Sequence, residues 1–254
     1  MSNVQNFFDK SAKTGHWSSL YDKNKPASYP FIIRLQKSIK LLNTNITNKQ
    51  VCDLGCGTGS LIPFVLSSEA FYTGIDFSDE MLSRIKNEYK KEVDNKKVEL
   101  FKIDLVNDDL KRKYDVLVGL GFVEYFENPD QMLNKCEKFL EEKGLLLLSF
   151  PNRLSLDFTM IRLLTFVRIF LKKIFKIGKE NPKRKMWSKK EAKNFLSQKF
   201  EIIKIENYYV NILAYPLTVL FPKLSFFLSK SLESTFFSKI DFFNNGFLIL
   251  VKKK

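Results

Sequence analysis

Cysteine and histidine are scarce in this chain: three Cys (Cys52, Cys56, Cys136) and one His (His16) in 254 residues. Three scattered Cys do not make a disulfide framework, and such usage fits a reducing compartment, so a cytoplasmic address is expected. Cys52 and Cys56 stand four apart, but no second Cys or His cluster completes a ligand set, and no metal site is expected. Long apolar runs are missing too. The N-terminus "MSNVQNFFDKSAKTGHW" has no apolar core of signal-peptide length. The longest charge-free apolar stretch, Tyr208 to Pro222, falls short of the roughly 18 residues that argue for a spanning helix. Acids are also in deficit, 28 against 42 Lys and Arg, for a net charge of +14. From Lys172 to Lys193 ten basic residues meet two acids, so this segment alone supplies +8 of that total. A Lys-, Asn- and Phe-rich composition accounts for a general basic bias but less well for the clustering, which suggests attraction to a phosphate-rich surface, nucleic acid or anionic membrane.

What is present is enough for a substantial core: 44% of the residues are hydrophobic, and the length suits one large domain with additions. Short apolar runs at 50–55, 71–76, 98–104, 114–120 and 144–150 alternate with amphipathic stretches. That alternation predicts buried parallel strands joined by helices, an α/β fold. "SDEMLSRIKNEYKKEV" carries acids in its first turn and bases later, with Ser78 as its expected N-cap. After the fifth run the regularity changes. Two further strands are predicted at 200–209 and 246–253, and the segments before them, 151–199 and 210–245, read as insertions on a regular core.

The stretch "VCDLGCGTGS" (51–60) concentrates the chemistry. A strand running into Gly55, Gly57 and Gly59 and then a helix lets the backbone turn tightly and approach a ligand, while the helix start offers unpaired N–H groups. Two details separate it from a nicotinamide fingerprint. The spacing is G-x-G-x-G with Ser60 where a third Gly of that fingerprint would stand, and Asp53 sits just before the first Gly. A carboxylate there repels pyrophosphate and suits a nucleoside ligand bearing an amine or a positive charge. Pro63 falls early in the following helix, where a missing N–H costs little. Asp76, ending the second run, is placed for a ribose diol, and Asp104, ending the third, for an exocyclic purine amine. For both acids the alternative is turn or cap chemistry, "IDFSD" and "IDLVND" being good turns.

Residues 48–150 resemble the class I S-adenosylmethionine-dependent methyltransferases: "VCDLGCGTG" is similar to their first motif, "GIDFSDEML" to the second, "FKIDL" to the third and "YDVLVGLGFVEYFENPDQML" to the fourth. The resemblance implies a doubly wound, Rossmann-like seven-stranded sheet of order 3-2-1-4-5-7-6 with strand 7 antiparallel, "GFLILVKK" being that strand, and S-adenosylmethionine as cofactor. It also implies that Asp53, Gly55, Cys56, Gly57 and Gly59 surround the methionine end. Asp76 and Phe77 would hold the ribose, Asp104 and Leu105 border the adenine, and Leu120 lie just after strand 4. Many relatives carry His after strand 4 where this chain has Tyr125, so no catalytic residue is assigned. The candidates are His16, Glu124 and Tyr125. Residues 1–47 resemble the helical lead-in of methyltransferases acting on quinones, porphyrin esters and lipid-linked compounds, and are expected to form a lid over the cofactor, with Trp17 and Tyr21 as lining candidates.

In such a sheet the insertions open onto the carboxyl ends of the strands and would cap the substrate. On a helix, Asp157, Arg162, Arg168, Lys172, Lys173 and Lys176 share one side, and Leu163, Phe166, Val167, Phe170, Ile174 and Ile177 the other. That profile fits peripheral contact with an anionic membrane through 155–193, or a cap helix packed on the second insertion. The second insertion is apolar on nearly every face and is expected to bury against something. The expected function is methyl transfer, to oxygen in preference to nitrogen or carbon, on a hydrophobic, membrane-associated small molecule. The alternatives are a non-catalytic binding or scaffold protein of this fold at an anionic membrane and a nucleic-acid methyltransferase. "GLGFVEY" after strand 4, in place of an Asn/Asp-Pro-Pro-aromatic sequence, argues against the last, and nucleic acid is not expected as a partner. The oligomeric state stays open.

Overall fold

The computed structural model describes residues 21–22, 25–43, 46–110, 112–165 and 184–254. One sheet organises them. Its strands are β1 (Gln50–Leu54), β2 (Phe71–Asp76), β3 (Val98–Lys102), β4 (Tyr114–Gly119), β5 (Leu140–Pro151), β6 (Phe200–Val210) and β7 (Asn244–Lys253), in the order β3-β2-β1-β4-β5-β7-β6. The first five pair in parallel, and β7 runs antiparallel to both neighbours. The sheet expected by resemblance is therefore present, and the carboxyl ends of β1, β2, β4 and β6 share one edge.

The central strands are apolar end to end because both faces are covered. On one face α5 (Pro129–Phe139) buries Met132, Leu133, Cys136 and Phe139. On the other, α1 (Tyr29–Leu42), the residues after it and α2 (Ile62–Ser67) bury Leu41, Leu42, Ile46, Ile62 and Val65. Pro63 stands in the first turn of α2 as expected. Three local expectations are corrected. β3 ends at Lys102, so Asp104 lies in the turn beyond it, where its own carboxylate accepts from Val106 N (3.0 Å) and Asn107 Nδ2 (2.9 Å). The helix after β2 breaks at Tyr89 (φ −111°, ψ 35°) into α3 (Asp79–Glu88) and α4 (Lys90–Asp94). Ser78 is the N-cap residue of α3 by position only. Its hydroxyl makes no cap bond, and its N–H donates to Asp76 Oδ1 at 2.9 Å in an Asx turn.

The described parts of the two insertions lie over β6 and β7. The first contains α6 (Leu156–Leu163) and, after residues 166–183, which lie outside the described residues, α7 (Lys189–Ser197). Most of the basic amphipathic pattern, including Arg168, Lys172, Lys173 and Lys176, falls in that interval. Within α6 the pattern does not hold. Asp157, expected on the solvated side, accepts from Tyr215 N (2.8 Å) and Asn245 Nδ2 (3.3 Å), while Leu163, expected on the packed side, is 69% exposed. Tertiary hydrogen bonds to the second insertion and β7 set the rotation of this helix against its own periodicity. Among the described residues no helix is long and apolar enough to cross a membrane.

Two contacts fasten the insertions. Trp187 N donates to Pro151 O (3.0 Å), Arg153 N donates to Trp187 O (2.8 Å), and the indole is buried against Phe150 and Phe195. Truncation of such a side chain leaves a cavity, so Trp187→Ala is expected to cost about 3–5 kcal/mol, read as a lower urea midpoint at unchanged slope. The second contact is Lys37 of α1, whose ammonium lies 2.6 Å from Glu233 and donates to Asn207 O at 2.6 Å. Glu233 in turn accepts from Tyr209 N (3.2 Å) and Val210 N (2.8 Å). This buried set ties the N-terminal helix, β6 and the second insertion into one unit.

Candidate cofactor and acceptor site

Where β1 ends, Gly55 N and Cys56 N both donate to Ile75 O at 2.9 Å, which holds the glycine loop against β2. Gly57 N donates to Asp76 Oδ2 at 2.9 Å. Together with the Ser78 bond, this pins the Asp76 carboxylate at the mouth of the loop. Gly59 (φ +73°) closes the turn where a Cβ would stand 2.6 Å from Ile62 Cδ1. Gly57 (φ +53°) differs: a Cβ there would meet nothing within 4 Å, so its backbone faces open space. One glycine is needed for packing against the chain, and the other leaves its backbone open to a ligand. The Cys56 thiol is not part of that face. It packs over Gly74 of β2, and burial pushes its pKa up, so the residue contributes backbone rather than chemistry.

Asp53 is 6% exposed and accepts from the Tyr72 phenol at 3.0 Å. Burial raises its pKa to about 7, with Asp76 adding to the rise and the Tyr72 bond and the Arg34 charge opposing it. Arg34 of α1 lies within electrostatic reach of Asp53. Its guanidinium packs on Gly121, beyond β4, where a Cβ would stand 2.7 Å from Nη1, and Nε has no hydrogen-bond partner among the described residues. Burial works against the Arg34 charge, but Tyr21, Tyr208 and Glu124 outweigh it and raise its pKa.

The 3-10 turn after β4, Val123–Tyr125, carries the two described catalytic candidates to the same edge. Glu124 is 6% exposed and its Oε2 has no hydrogen-bond partner among the described residues. Burial raises its pKa against the pull of backbone hydrogen bonds, Arg34 and Arg184. The Tyr125 phenol is pushed up to about 12, first by burial and then by Glu124, and stays protonated at neutral pH. His16 lies outside the described residues. Leu120 is half-buried directly after β4, beside the end of β1. Phe77 is half-buried beside Asp76. Leu105 points into the core with Leu54, Leu110 and Met132.

An α-amino acid presents an ammonium and a carboxylate together, and the pair Asp53 and Arg34 offers one partner to each. Asp76 beside it suits a ribose diol, and Gly57 leaves room for close approach. These groups fit S-adenosylmethionine. Arg34, Tyr72 and Tyr208 were missed in the sequence. Arg34 left one signal, a lone guanidinium next to Ile33 in the otherwise apolar "PFIIRL", and Tyr72 another, a phenol in a strand covered on both faces. Because the ammonium requires ionised Asp53, product affinity is expected to fall as pH drops through about 7, approaching tenfold per unit below it. In the unliganded protein the sign is opposite: an acid with a raised folded pKa makes stability fall as pH rises from the ordinary carboxylate range toward 7. Calorimetry with S-adenosylhomocysteine between pH 6 and 8, for wild type and Asp53→Asn, reads the first effect. The variant should lose the dependence.

Comparison with known proteins bears on the family and the fold. The family described as "Methyltransferase domain" matches residues 52–146. The chain is 27% identical over 139 residues to the ubiquinone biosynthesis O-methyltransferase of Coxiella burnetii (strain RSA 493 / Nine Mile phase I), covering 54% of this chain and 57% of that protein. It is 28% identical over 166 residues to the protein of the same name from Glaesserella parasuis serovar 5, covering 61% and 66%. The match thus spans little more than half the length of the first of these relatives. Among solved structures, magnesium protoporphyrin IX methyltransferase from Synechocystis PCC 6803 with bound SAH superposes with a TM-score of 0.66 at 18% identity, over 99% of this chain and 98% of that one. The N-methyltransferase NodS from Bradyrhizobium japonicum WM9, in complex with S-adenosyl-L-homocysteine, gives 0.62 at 11% identity over 99% of each. At these identities the structures speak for the fold. Fold and family match agree, and residues 52–146 are a methyltransferase domain of the class I, S-adenosylmethionine-dependent kind.

Proposed function

We propose that this protein transfers a methyl group from S-adenosylmethionine to an oxygen of a hydrophobic small molecule that resides at a membrane. The observation that carries the reading is the glycine loop itself: Asp76 accepts from Gly57 N beside open space, and the buried Asp53 lies within electrostatic reach of both Asp76 and Arg34. The preference for oxygen is supported by relatives named O-methyltransferases at 27–28% identity. A hydrophobic acceptor is supported by the aromatic walls at the end of β4, where Phe122 and Phe126 meet edge to face at 4.8 Å.

The cofactor supplies an electrophilic methyl group on a sulfonium. The protein's part is to hold and dry the reactants and to receive one proton. Asp53 and Arg34 would hold the amino-acid end, and Asp76 the ribose. Of the described groups beside this site, Glu124 is the carboxylate suited to take the acceptor's proton: buried, with Oε2 unpartnered and basicity raised by its surroundings. The Tyr125 phenol, protonated at neutral pH, can orient the acceptor oxygen by donating a hydrogen bond. The test is calorimetric titration with S-adenosylhomocysteine, followed by transfer of labelled methyl to quinols and phenolic lipids. Micromolar binding with labelled product supports the reading. Folded protein that binds no S-adenosylhomocysteine overturns it and leaves a binding or scaffold role.

A further inference from the structure

Helix α9 (Pro222–Leu232), in the second insertion, is turned inside out. Its small polar residues Ser225 and Ser229, one turn apart, are buried at 5% and 1% exposure, where their hydroxyls meet the Tyr209 phenol. Two of its large apolar residues face away, Leu224 at 49% and Phe227 at 64% exposed, while Phe226, Leu228 and Leu232 are half-buried. The short helix before it, α8 (Leu217–Leu220), and the turn after it continue the face with Val219, Leu220, Phe221 and Phe236, each 53–69% exposed. Of fourteen exposed large apolar side chains among the described residues, nine fall between Leu217 and Phe242. Scattered apolar residues need no explanation, whereas a contiguous set on a helix whose serines point inward marks a surface with an apolar partner.

Charge identifies that partner. Between Glu206 and Glu233 the chain has no acid, and its two charges are Lys223 and Lys230, both exposed on α9. Large apolar side chains at the centre, lysines beside them and no carboxylate is the composition that suits an anionic lipid surface: hydrocarbon accepts the side chains while headgroup phosphates accept the ammonium groups. A protein partner would be expected to meet a polar rim of both signs. Position agrees with a use for the contact. The insertion follows the carboxyl end of β6, on the same edge of the sheet as the glycine loop. Phe226 packs edge to face on Tyr29 at 5.3 Å, at the start of the helix that carries Arg34.

We infer that the surface formed by Leu217–Phe237 docks on anionic lipid bilayers, so that an apolar acceptor passes from the membrane to the site without crossing water. This places the membrane contact in the second insertion rather than in the basic segment of the first, and it rests on the reading of the acceptor as hydrophobic. The test is flotation with vesicles of phosphatidylglycerol and phosphatidylcholine in equal parts, against phosphatidylcholine alone. Wild type should float with the anionic vesicles. Leu220→Ser with Phe227→Ser and Phe236→Ser should reduce the bound fraction at least tenfold, and Lys223→Glu with Lys230→Glu should remove the preference for anionic lipid. All three substituted apolar residues are exposed, and calorimetry with S-adenosylhomocysteine provides the control for folding. Failure of wild type to float, or flotation unchanged by the serine variant, overturns the inference. So does a dimer in analytical ultracentrifugation that the serine variant dissociates, which would make the face a contact between copies of the chain. If wild type floats but binds no S-adenosylhomocysteine, the docking surface stands and the enzymatic reading fails.

Discussion

Asp76→Ala should weaken S-adenosylhomocysteine binding at least 100-fold while leaving the protein folded. The carboxylate at the end of β2 has two tasks. Toward the protein it accepts from Gly57 N and Ser78 N, each at 2.9 Å, and so fixes both the glycine loop and the start of α3. Toward the cofactor it would accept from the ribose hydroxyls. Hydrogen bonds to a charged acceptor contribute about 1.5–3 kcal/mol each, so losing two reaches the stated factor before any loosening of the loop is counted. Asp76→Asn should not rescue. Its amide offers one acceptor oxygen where two backbone N–H groups converge from different sides, and its own N–H₂ would oppose one of them. Calorimetry reads the affinity directly. Thermal unfolding gives an independent check: the unliganded midpoint of the variant should fall because Gly57 N and Ser78 N lose their acceptor, and the upward shift by ligand should vanish. Binding within threefold of wild type would remove Asp76 from the ribose site.

Glu124→Gln should lower kcat by a factor of about 10²–10⁴ with KM and cofactor affinity nearly unchanged. The substitution preserves shape and removes only the ability to take a proton. Its location supports this. The turn Val123–Tyr125 sits at the end of β4, the Glu124 carboxylate is 6% exposed, and Oε2 has no partner among the described residues. Burial lifts the Glu124 pKa from the usual carboxylate range, which makes it a better base and should give wild type a kcat that rises with pH and then levels. That rising limb should disappear in the variant. A merely structural Glu124 would instead affect stability or KM and leave the pH profile in place. An unchanged kcat would mean that solvent receives the proton and that the site works through positioning.

Much of the architecture could be read locally. Parallel strands covered on both faces appear as unbroken apolar runs, so β1, β2, β4 and the heart of β5 were visible as such. The glycines had to be where they are because their neighbours in sequence build the turn: Gly59 is crowded by Ile62, three residues on. The limits of local reading were also local. Asp104 lay past the strand end assigned to it because Val106 N and Asn107 claim its oxygens, and the long helix after β2 divided at Tyr89. In each case a short-range hydrogen bond or backbone angle decided between two conformations of similar propensity.

The amino-acid sequence by itself determined the α/β layout, the glycine loop with its acids at the strand ends, and the methyltransferase character of residues 52–146, since all three depend on residue spacings of a few positions. Tertiary structure alone decided the rest. Arg34 and Asp53 are nineteen residues apart on different elements, and they become neighbours only because α1 packs against the sheet with Arg34 over Gly121. The segment carrying α9 is apolar at almost every angle, so its periodicity cannot choose a buried face. The choice falls to the Tyr209 phenol, which needs hydrogen-bonding partners in a confined place and takes Ser225 and Ser229, leaving Leu224 and Phe227 turned outward. A buried polar group that must be satisfied outweighs the burial of two apolar side chains, and that balance is set by neighbours distant in the chain.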